Sequence, residues 1–325
     1  MPIDLSESLV IGISATALFD LSEADRIFRE KIDHDPDTAM EEYRSYMLQN
    51  ESTALSDGTG MPLVKALLNL NKYKKDGEPP IVEVVVMSRN SPETGFRVLR
   101  EIRNRGLKIS RLAFTAGESN VDYLESFYVD LFLTTSEADA QRVIDSGVCA
   151  AAIVKAPPTT DEHLPDDQEQ VRFAFDADAV IFSEASEIVN QTKGLSAFHE
   201  NEDLEQDTPL PEGPHAKLLK KLSKMKERLP GRKEYSPVKL AIITARNSPA
   251  EMRVVKTLRE WDVYVDMAFF LGGLQKSRFL KSFKPHIFFD DQDSHLDPAS
   301  SDIPCAKVLY PSNSPLKQII AKKDG

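Results

Sequence analysis

The sequence predicts an α/β protein made of two Rossmann-like units that arise from an internal duplication, with a small cap inserted into the second unit. Short apolar runs of strand length alternate with amphipathic stretches whose apolar residues recur every three or four positions. This alternation is typical of parallel sheets covered by helices. The chain also repeats itself, because "RNSP" occurs at 89–92 and again at 246–249, each time after an apolar run.

Eight apolar runs have the length and character of buried strands. The predicted strands are 8–14, 81–87, 111–115, 129–134, 171–175, 239–244, 265–271 and 286–289. Three amphipathic stretches are predicted to be helices, at 91–106, 215–229 and 249–262. The basic side chains of the second stretch are interpreted as a solvated helix face.

Four blocks of sequence occur twice in the same order, which favours duplication over chance likeness. The expected junction is 155–168, which has the proline and acid content of a linker. We therefore expect a degenerate, non-catalytic unit over 1–160 and a catalytic unit over 161–325, with the cap at about 183–236.

Composition limits the classes of partner and compartment. The formal net charge of −12 disfavours a nucleic-acid polymer as partner, because the negative protein would repel the negative phosphate backbone. No apolar run is long enough to predict a membrane span. The start of the chain lacks the pattern of a secretory signal, and the two cysteines form no motif, so we expect a cytoplasmic protein. The oligomeric state stays open, and a homo-oligomer is compatible with the sequence.

Polar residues follow the predicted strands of the second unit. Asp176 and Asp178 come after the first of them, and Thr244 ends the next. Lys276 follows two glycines, and the last strand leads into Asp290 and Asp291. Ligands of open parallel sheets bind at the carboxyl ends of the strands, so we expect these side chains to form one site.

The residues after Thr244 are candidates for substrate binding. Ser248, Pro249 and Glu251 fit the start of a helix with a capping box. The amides of a helix N-terminus can hold phosphate oxygens. Ala245, Arg246 and Asn247 immediately precede that start and are predicted to contact the substrate; for the last two, a capping or surface role is an equal alternative.

This set of residue types suits the cleavage of a phosphate ester. Carboxylates can bind Mg²⁺, which neutralises the repulsion between an anionic nucleophile and the phosphate. Asp176 can then attack phosphorus to form an aspartyl phosphate, and Asp178 can act as general acid and then as general base. Thr244 and Lys276 can bind the phosphoryl oxygens. The predicted metal site contains Asp176, Asp178, Asp290 and Asp291. Asp176, the backbone carbonyl of Asp178 and Asp290 are expected to bind the metal directly and Asp291 to support them, with the choice between Asp290 and Asp291 left open.

In this order, the acidic pair 176/178, Thr244, Lys276 and the pair 290/291 resemble motifs I to IV of the haloacid dehalogenase superfamily. The stretches 175–187, 243–249, 272–280 and 284–292 resemble the cytosolic 5′-nucleotidase I family. The resemblance covers roughly residues 8–297 and includes the mid-chain position of motif I. It implies a Mg²⁺-dependent hydrolase of nucleoside 5′-monophosphates, above all AMP. Alternatives are a phosphatase for another small phosphate ester and a catalytically silent nucleotide-binding protein.

The first unit lacks the acidic groups. Ser14 and Thr16 stand opposite the first acidic pair, Met87 opposite Thr244, and Thr134 and Thr135 opposite the second acidic pair. We therefore interpret the first unit as a copy that kept its core and lost its chemistry. His199 and His215 lie in the predicted cap without the spacing of a zinc site, and they are interpreted as surface residues.

Overall fold

The computed structural model describes residues 4–160, 162–164, 170–232 and 235–323, with the side chains of 321–323 left aside. Parts of the predicted linker (161 and 165–168) and of the predicted cap (233–234) lie outside the described residues. No helix in the described ranges combines the length and the apolar character needed to cross a membrane.

Ten strands form one mixed, mostly parallel sheet. They are β1 Leu9–Ser14, β2 Val82–Ser88, β3 Arg111–Phe114, β4 Leu131–Thr134, β5 Ala150–Val154, β6 Val171–Phe175, β7 Val238–Thr244, β8 Met267–Phe270, β9 Ile287–Asp290 and β10 Cys305–Lys307. Every residue of β1 and β2 is buried, as expected for strands covered on both faces.

Thirteen α-helices occur in the described residues. They are α1 Ala15–Leu18, α2 Ser22–Ile32, α3 Pro36–Gln49, α4 Met61–Asn69, α5 Phe96–Asn104, α6 Glu137–Ser146, α7 Ala185–Lys193, α8 Leu195–Leu204, α9 Ala216–Met225, α10 Glu251–Glu260, α11 Lys276–Phe283, α12 Asp293–Ser300 and α13 Pro315–Lys323. The predicted α/β class is therefore confirmed.

The two halves of the chain have the same strand order. Across the sheet the order is β3-β2-β1-β4-β5-β10-β9-β6-β7-β8, so each half is arranged as 3-2-1-4-5 in its own numbering. Neighbours within each half pair in parallel, and the halves join where β5 pairs antiparallel with β10. This order agrees with the predicted repeat, while the origin of the two halves by duplication stays a prediction.

All eight predicted strands are present, but the two strands that join the halves were missed. β5 has the sequence AAAIV, and alanine has low strand propensity. β10 has only three residues. The antiparallel pairing of Ala306 with Val154 and of Lys307 with Ile153 was therefore not predictable from local pattern.

The strand register corrects one predicted correspondence between the halves. Ile13 pairs with Val86 as Phe175 pairs with Ile242, so Ser88, not Met87, occupies the place of Thr244. Both side chains make the same local bond: the Ser88 hydroxyl accepts from the amide of Asn90 at 3.2 Å, and Thr244 accepts from that of Arg246 at 3.2 Å. The predicted match of Met87 with Thr244 follows from superposing the two "RNSP" motifs. One extra residue, Ala245, precedes that motif in the second half and shifts the match by one position.

α9 packs its apolar side into the core through Leu218, Leu219 and Leu222, so its basic side chains lie on only part of its surface. Two basic groups beyond the apolar face contact the first half. Lys221 donates to the carbonyl of Ser6, and Arg228 donates to that of Glu7 at 2.7 Å. The helix predicted at 215–229 is confirmed, and the interpretation of its basic face as merely solvated was wrong.

The start of α10 differs from the predicted capping box. The amide of Ala250 donates to the carbonyl of Asn247 at 2.9 Å and closes a turn. The helix begins after this turn, at Glu251, and has no side-chain cap. The prediction that Ser248 is the N-cap and Pro249 the first helical residue was therefore wrong.

His215 is fully buried, which contradicts its interpretation as a surface residue. Its ring lies 4.9 Å from that of Phe289 and 6.5 Å from that of Phe175, between centroids. Neither ring nitrogen has a hydrogen-bond partner in the described residues. Burial alone lowers the pKa of His215 to about 3, so the imidazole is neutral in the folded protein.

We expect His215 to make the fold sensitive to acid. Its pKa is lower in the folded chain than the ordinary value of 6.5. Its contribution to stability is therefore fully present above pH 6.5 and is lost as the pH falls towards 3, by about 1.4 kcal/mol per pH unit. The variant His215→Phe should reduce the slope of unfolding free energy against pH in this range, measured by urea unfolding. His199→Phe is the matched control, and an unchanged slope in His215→Phe would contradict the account.

Candidate active site

The candidate site lies at the carboxyl ends of three adjacent strands. β6 lies between β7 and β9, and these strands are parallel. Asp176 follows β6 directly, Thr244 ends β7 and Asp290 ends β9, while Lys276 begins α11. Since parallel strands end at one edge, the sheet brings these four sequence-predicted residues together.

Lys276 forms the centre of a buried charge cluster. Its Nζ atom is 2.8 Å from Oδ1 of Asp176 and 2.7 Å from Oδ2 of Asp290. Asp291 is next in the chain, and all four side chains are almost inaccessible to solvent. One buried ammonium group therefore pairs with two carboxylates, and a third carboxyl group, that of Asp291, lies beside them.

A tight turn after β6 brings the two aspartates of motif I to the sheet edge. The amide of Asp176 donates to the carbonyl of Phe289 at 2.8 Å, which fixes the end of β6 against β9. The following residues, Ala177–Ile181, form an irregular turn, in which Asp178 is extended with ψ of 140° and Ala179 is left-handed with φ of 58°. The chain thus reverses immediately beyond Asp176.

Burial and charge shift the pKa values of the cluster in different directions. Burial raises the pKa of Asp176 to about 7, against the opposing effect of the Lys276 charge. Burial also raises the pKa of Asp291 well above its usual range, and the charges of Asp290 and Asp176 add to this. For Asp290, burial is outweighed by Lys276 and His295, so its pKa is lowered. The cluster therefore has too little positive charge for its carboxylates.

The carboxylate oxygens of the cluster are of the type that binds a divalent cation. Oδ1 of Asp291 is buried and accepts no hydrogen bond from the described residues, whereas Oδ1 of Asp176 is paired with the Lys276 ammonium at 2.8 Å. Ligand atoms of Asp176, Asp290 and His295 lie within 4.8 Å of one another. Unpaired buried carboxylate oxygens are costly unless a cation or donor reaches them.

Asp178 is held by Arg246. The guanidinium donates from Nε to Oδ2 of Asp178 at 2.8 Å and from its second terminal nitrogen to Oδ1. Its remaining terminal nitrogen donates to Glu202, which lies on α8 and is fully buried. Arg246 therefore lies in the site as predicted, but in this arrangement its donors serve carboxylates of the protein.

Glu202 fastens α7 and α8 to the rest of the site. It accepts from Arg253 of α10 at 3.0 Å and from the Ser186 hydroxyl of α7 at 2.8 Å. The guanidinium of Arg246 also stacks 5.2 Å from the ring centre of Phe198. This buried network joins the two helices to Arg246 and, through it, to Asp178.

The other predicted binding residues line the loop after β7. Thr244 is buried, and Ala245 is exposed. The side chain of Asn247 is bonded to His199 of α8, with 2.8 Å between Oδ1 and Nε2. His199 is therefore half-buried against the loop, and its interpretation as an ordinary surface residue was wrong.

Three residues of the site were missed by sequence reasoning. His295 Nδ1 lies 3.2 Å from both carboxylate oxygens of Asp290. The hydroxyl of Tyr310 donates to Oδ2 of Asp291, and Glu202 binds Arg246. Of these three, only His295 lies close in the sequence to a predicted site residue, five positions after Asp290.

The corresponding edge of the first half carries hydroxyls that bond to one another. Ser14 Oγ is 3.0 Å from Thr16 Oγ1, which is 2.6 Å from Thr135 Oγ1. The register places Ser14 and Thr134 opposite Asp176 and Asp290. Uncharged groups that satisfy each other need neither a lysine nor a cation.

The chain is similar to known proteins over nearly its whole length. A family model described as 5′-nucleotidase matches residues 1–315. The human protein cytosolic 5′-nucleotidase 1B is 30% identical over 298 residues. The alignment covers 90% of this chain and 47% of the human protein, so the chain spans about half the length of that relative.

We expect Glu202→Gln to destabilise the protein by on the order of 3 kcal/mol, because it removes the charge that compensates two buried guanidinium groups. Thermal and urea unfolding would measure the loss. Glu200→Gln, an exposed position on the same helix, is the matched control and should change stability little. Equal stability of the two variants would show that the network does not hold α8 in place.

Proposed function

The chain belongs to the 5′-nucleotidase family, and we propose that it hydrolyses nucleoside 5′-monophosphates, AMP above all, to nucleoside and phosphate. The observation that carries this proposal is the convergence of Asp176, Asp178, Thr244, Lys276 and Asp290 at one edge of the sheet. The family match supports the substrate class, and the order of these residues supports a mechanism of the haloacid dehalogenase type.

The proposed reaction has two steps. A carboxylate oxygen of Asp176 attacks phosphorus, the bond from phosphorus to the 5′ oxygen breaks, and Asp178 donates a proton to the leaving nucleoside. Asp178 then removes a proton from water, which attacks the aspartyl phosphate and releases phosphate. Both aspartates return to their starting states, so atoms and charges balance.

Lys276 and Thr244 are proposed to stabilise the transferred phosphoryl group. The Lys276 ammonium lies between Asp176 and Asp290, and its charge favours the ionised, nucleophilic form of Asp176 against the effect of burial. The same charge can stabilise phosphoryl oxygens as they approach Asp176. The Thr244 hydroxyl, at the end of the adjacent strand, is a second donor.

The residues present fit Mg²⁺. Asp291 has a buried oxygen without a hydrogen bond among the described residues, and Oδ1 of Asp176 pairs with Lys276 alone, whereas the oxygens of Asp290 accept from Lys276, His295 and the amide of Gln292. We therefore propose Asp176 and Asp291 as direct ligands, together with the backbone carbonyl of Asp178, and Asp290 as support. Mg²⁺ prefers oxygen ligands, which makes His295 a partner of Asp290 rather than a ligand. Bound Mg²⁺ would neutralise phosphate charge next to the nucleophile.

α7 and α8 are proposed to form a mobile cap. Asp176, Lys276, Asp290 and Asp291 are at most 4% exposed, so a nucleotide reaches them only when the covering helices shift. The bond between His199 and Asn247 and the contacts of Arg246 with Glu202 and Asp178 would open in that movement, which frees the Asp178 carboxyl group to carry the proton that it donates. Once released, the side chains of Asn247 and Arg246 would be available to contact the ribose, base or phosphate of the nucleotide. α9 packs into the core and is not proposed to move.

The activity test is phosphate release from AMP, CMP, a sugar phosphate and phenyl phosphate. The wild type should prefer nucleoside monophosphates, and Asp176→Asn should lower turnover at least about 10³-fold because it removes the nucleophile. Asp37→Asn, an exposed position on α3, is the control. Retention of a tenth of the wild-type rate by Asp176→Asn would refute the nucleophile, and preference for a non-nucleotide ester would refute the substrate class.

The metal proposal predicts that chelation abolishes activity and that Mg²⁺ restores it. Titration calorimetry without substrate should detect Mg²⁺ binding to the wild type. Asp291→Asn should weaken that binding about tenfold or more, since it replaces a charged ligand. Full activity after exhaustive chelation would overturn the metal role, and unchanged affinity in Asp291→Asn would remove that residue from the site.

A further inference from the structure

Residues 308–314, the segment that follows β10, link the candidate site to the first half of the chain. The Tyr310 hydroxyl donates to Oδ2 of Asp291. The backbone carbonyl of the same tyrosine accepts from Nε2 of Gln141, on α6, at 3.0 Å. One residue therefore touches both the acidic cluster and a helix of the other half.

A second contact fixes the segment to the same helix. Asp145, at the end of α6, accepts from the amide of Ser312 at 2.7 Å and from its hydroxyl at 2.6 Å. A third anchor lies towards the predicted cap, where the Ser314 hydroxyl donates to Glu184, the residue before α7. The segment is thus held on both sides of the cluster.

The topology of the sheet explains why α6 reaches the site. β5 is antiparallel to β10, so strands of the first half begin at the edge where strands of the second half end. α6 follows β4 and leads back to the start of β5. Its last turn therefore lies at the edge that holds Asp291.

Asp291 depends on Tyr310 for its orientation. Its carboxyl group is 4% exposed, and Oδ1 has no hydrogen-bond partner in the described residues. Tyr310 supplies the hydrogen bond to the other oxygen. A buried carboxylate held at one oxygen presents the other in a defined direction, which is how supporting residues orient metal ligands.

We propose that Tyr310 is a positioning residue that aims Asp291 at a divalent cation, and that the first half holds Tyr310 in place through Gln141 and Asp145. The proposal rests on the proposed function, because it assigns Asp291 to the cation of that reaction. It gives the half without acidic groups a part in the chemistry of the other half. No ligand bound to the first half is required.

The test compares variants of the full chain by titration with Mg²⁺ alone and by AMP hydrolysis over a range of Mg²⁺ concentrations. Tyr310→Phe keeps the ring and removes the donor, and Asp145→Ala releases the segment from outside the site. Both should raise the Kd for Mg²⁺ about tenfold or more. Saturating Mg²⁺ should restore most of kcat, which a general structural defect would not allow. Glu137→Gln, on an exposed position of α6, should behave as the wild type.

The outcomes separate this proposal from the proposed function. If the wild type neither binds Mg²⁺ nor hydrolyses AMP, the proposed function fails and this inference fails with it. If the wild type does both and Tyr310→Phe keeps its Mg²⁺ affinity, only the role of Tyr310 is overturned. If Tyr310→Phe weakens Mg²⁺ binding but Asp145→Ala does not, the control by the first half is overturned.

Discussion

The ammonium group of Lys276, buried between two carboxylates, is the interaction around which the second half is organised. Isolated charges are excluded from protein interiors by their cost of desolvation, so Lys276 and its partners are stable there only together. That condition fixes the start of α11 against the ends of β6 and β9. One ammonium faces more than one carboxylate, and burial, together with the neighbouring carboxylates, raises the pKa values of Asp176 and Asp291. The proposed cation would add positive charge to this cluster, which links the fold of the site to its proposed chemistry.

At the corresponding strand ends, the first half has uncharged polar side chains. Its strands have the same order, and its strand ends carry Ser14, Thr16, Ser88 and Thr134 where the second half has acids or Thr244. Hydroxyls can donate and accept, so they satisfy one another and cost little to bury. The comparison isolates what the acidic residues add. The sheet supplies the positions, and the choice of side chain decides whether the edge carries a charged cluster or an uncharged one.

Prediction from sequence succeeded for features that follow from the local pattern of residues. It failed for features that depend on contacts with residues elsewhere in the chain. The parallel strands of both halves and the meeting of Asp176, Thr244, Lys276 and Asp290 follow from hydrophobic pattern and the geometry of parallel sheets. β5 and β10 were missed because one is rich in alanine and the other has only three residues, so their own composition gives little strand signal. Tyr310 and Glu202 were missed because their partners lie far away in the sequence. His215 was misjudged because a polar residue type outweighed its place beside a buried helix.

The antiparallel pairing of β5 with β10 also has a consequence for how the two halves can diverge during evolution. Because the pairing reverses the first half, side chains at the ends of its strands lie at the edge away from the acidic cluster. Residues near the starts of those strands, and the last turn of α6 beside them, lie at the edge of the cluster. Tolerance to substitution should therefore vary along each strand of the first half. Residues at the strand ends can be substituted more freely, while residues near the strand starts are constrained by the chemistry proposed for the second half.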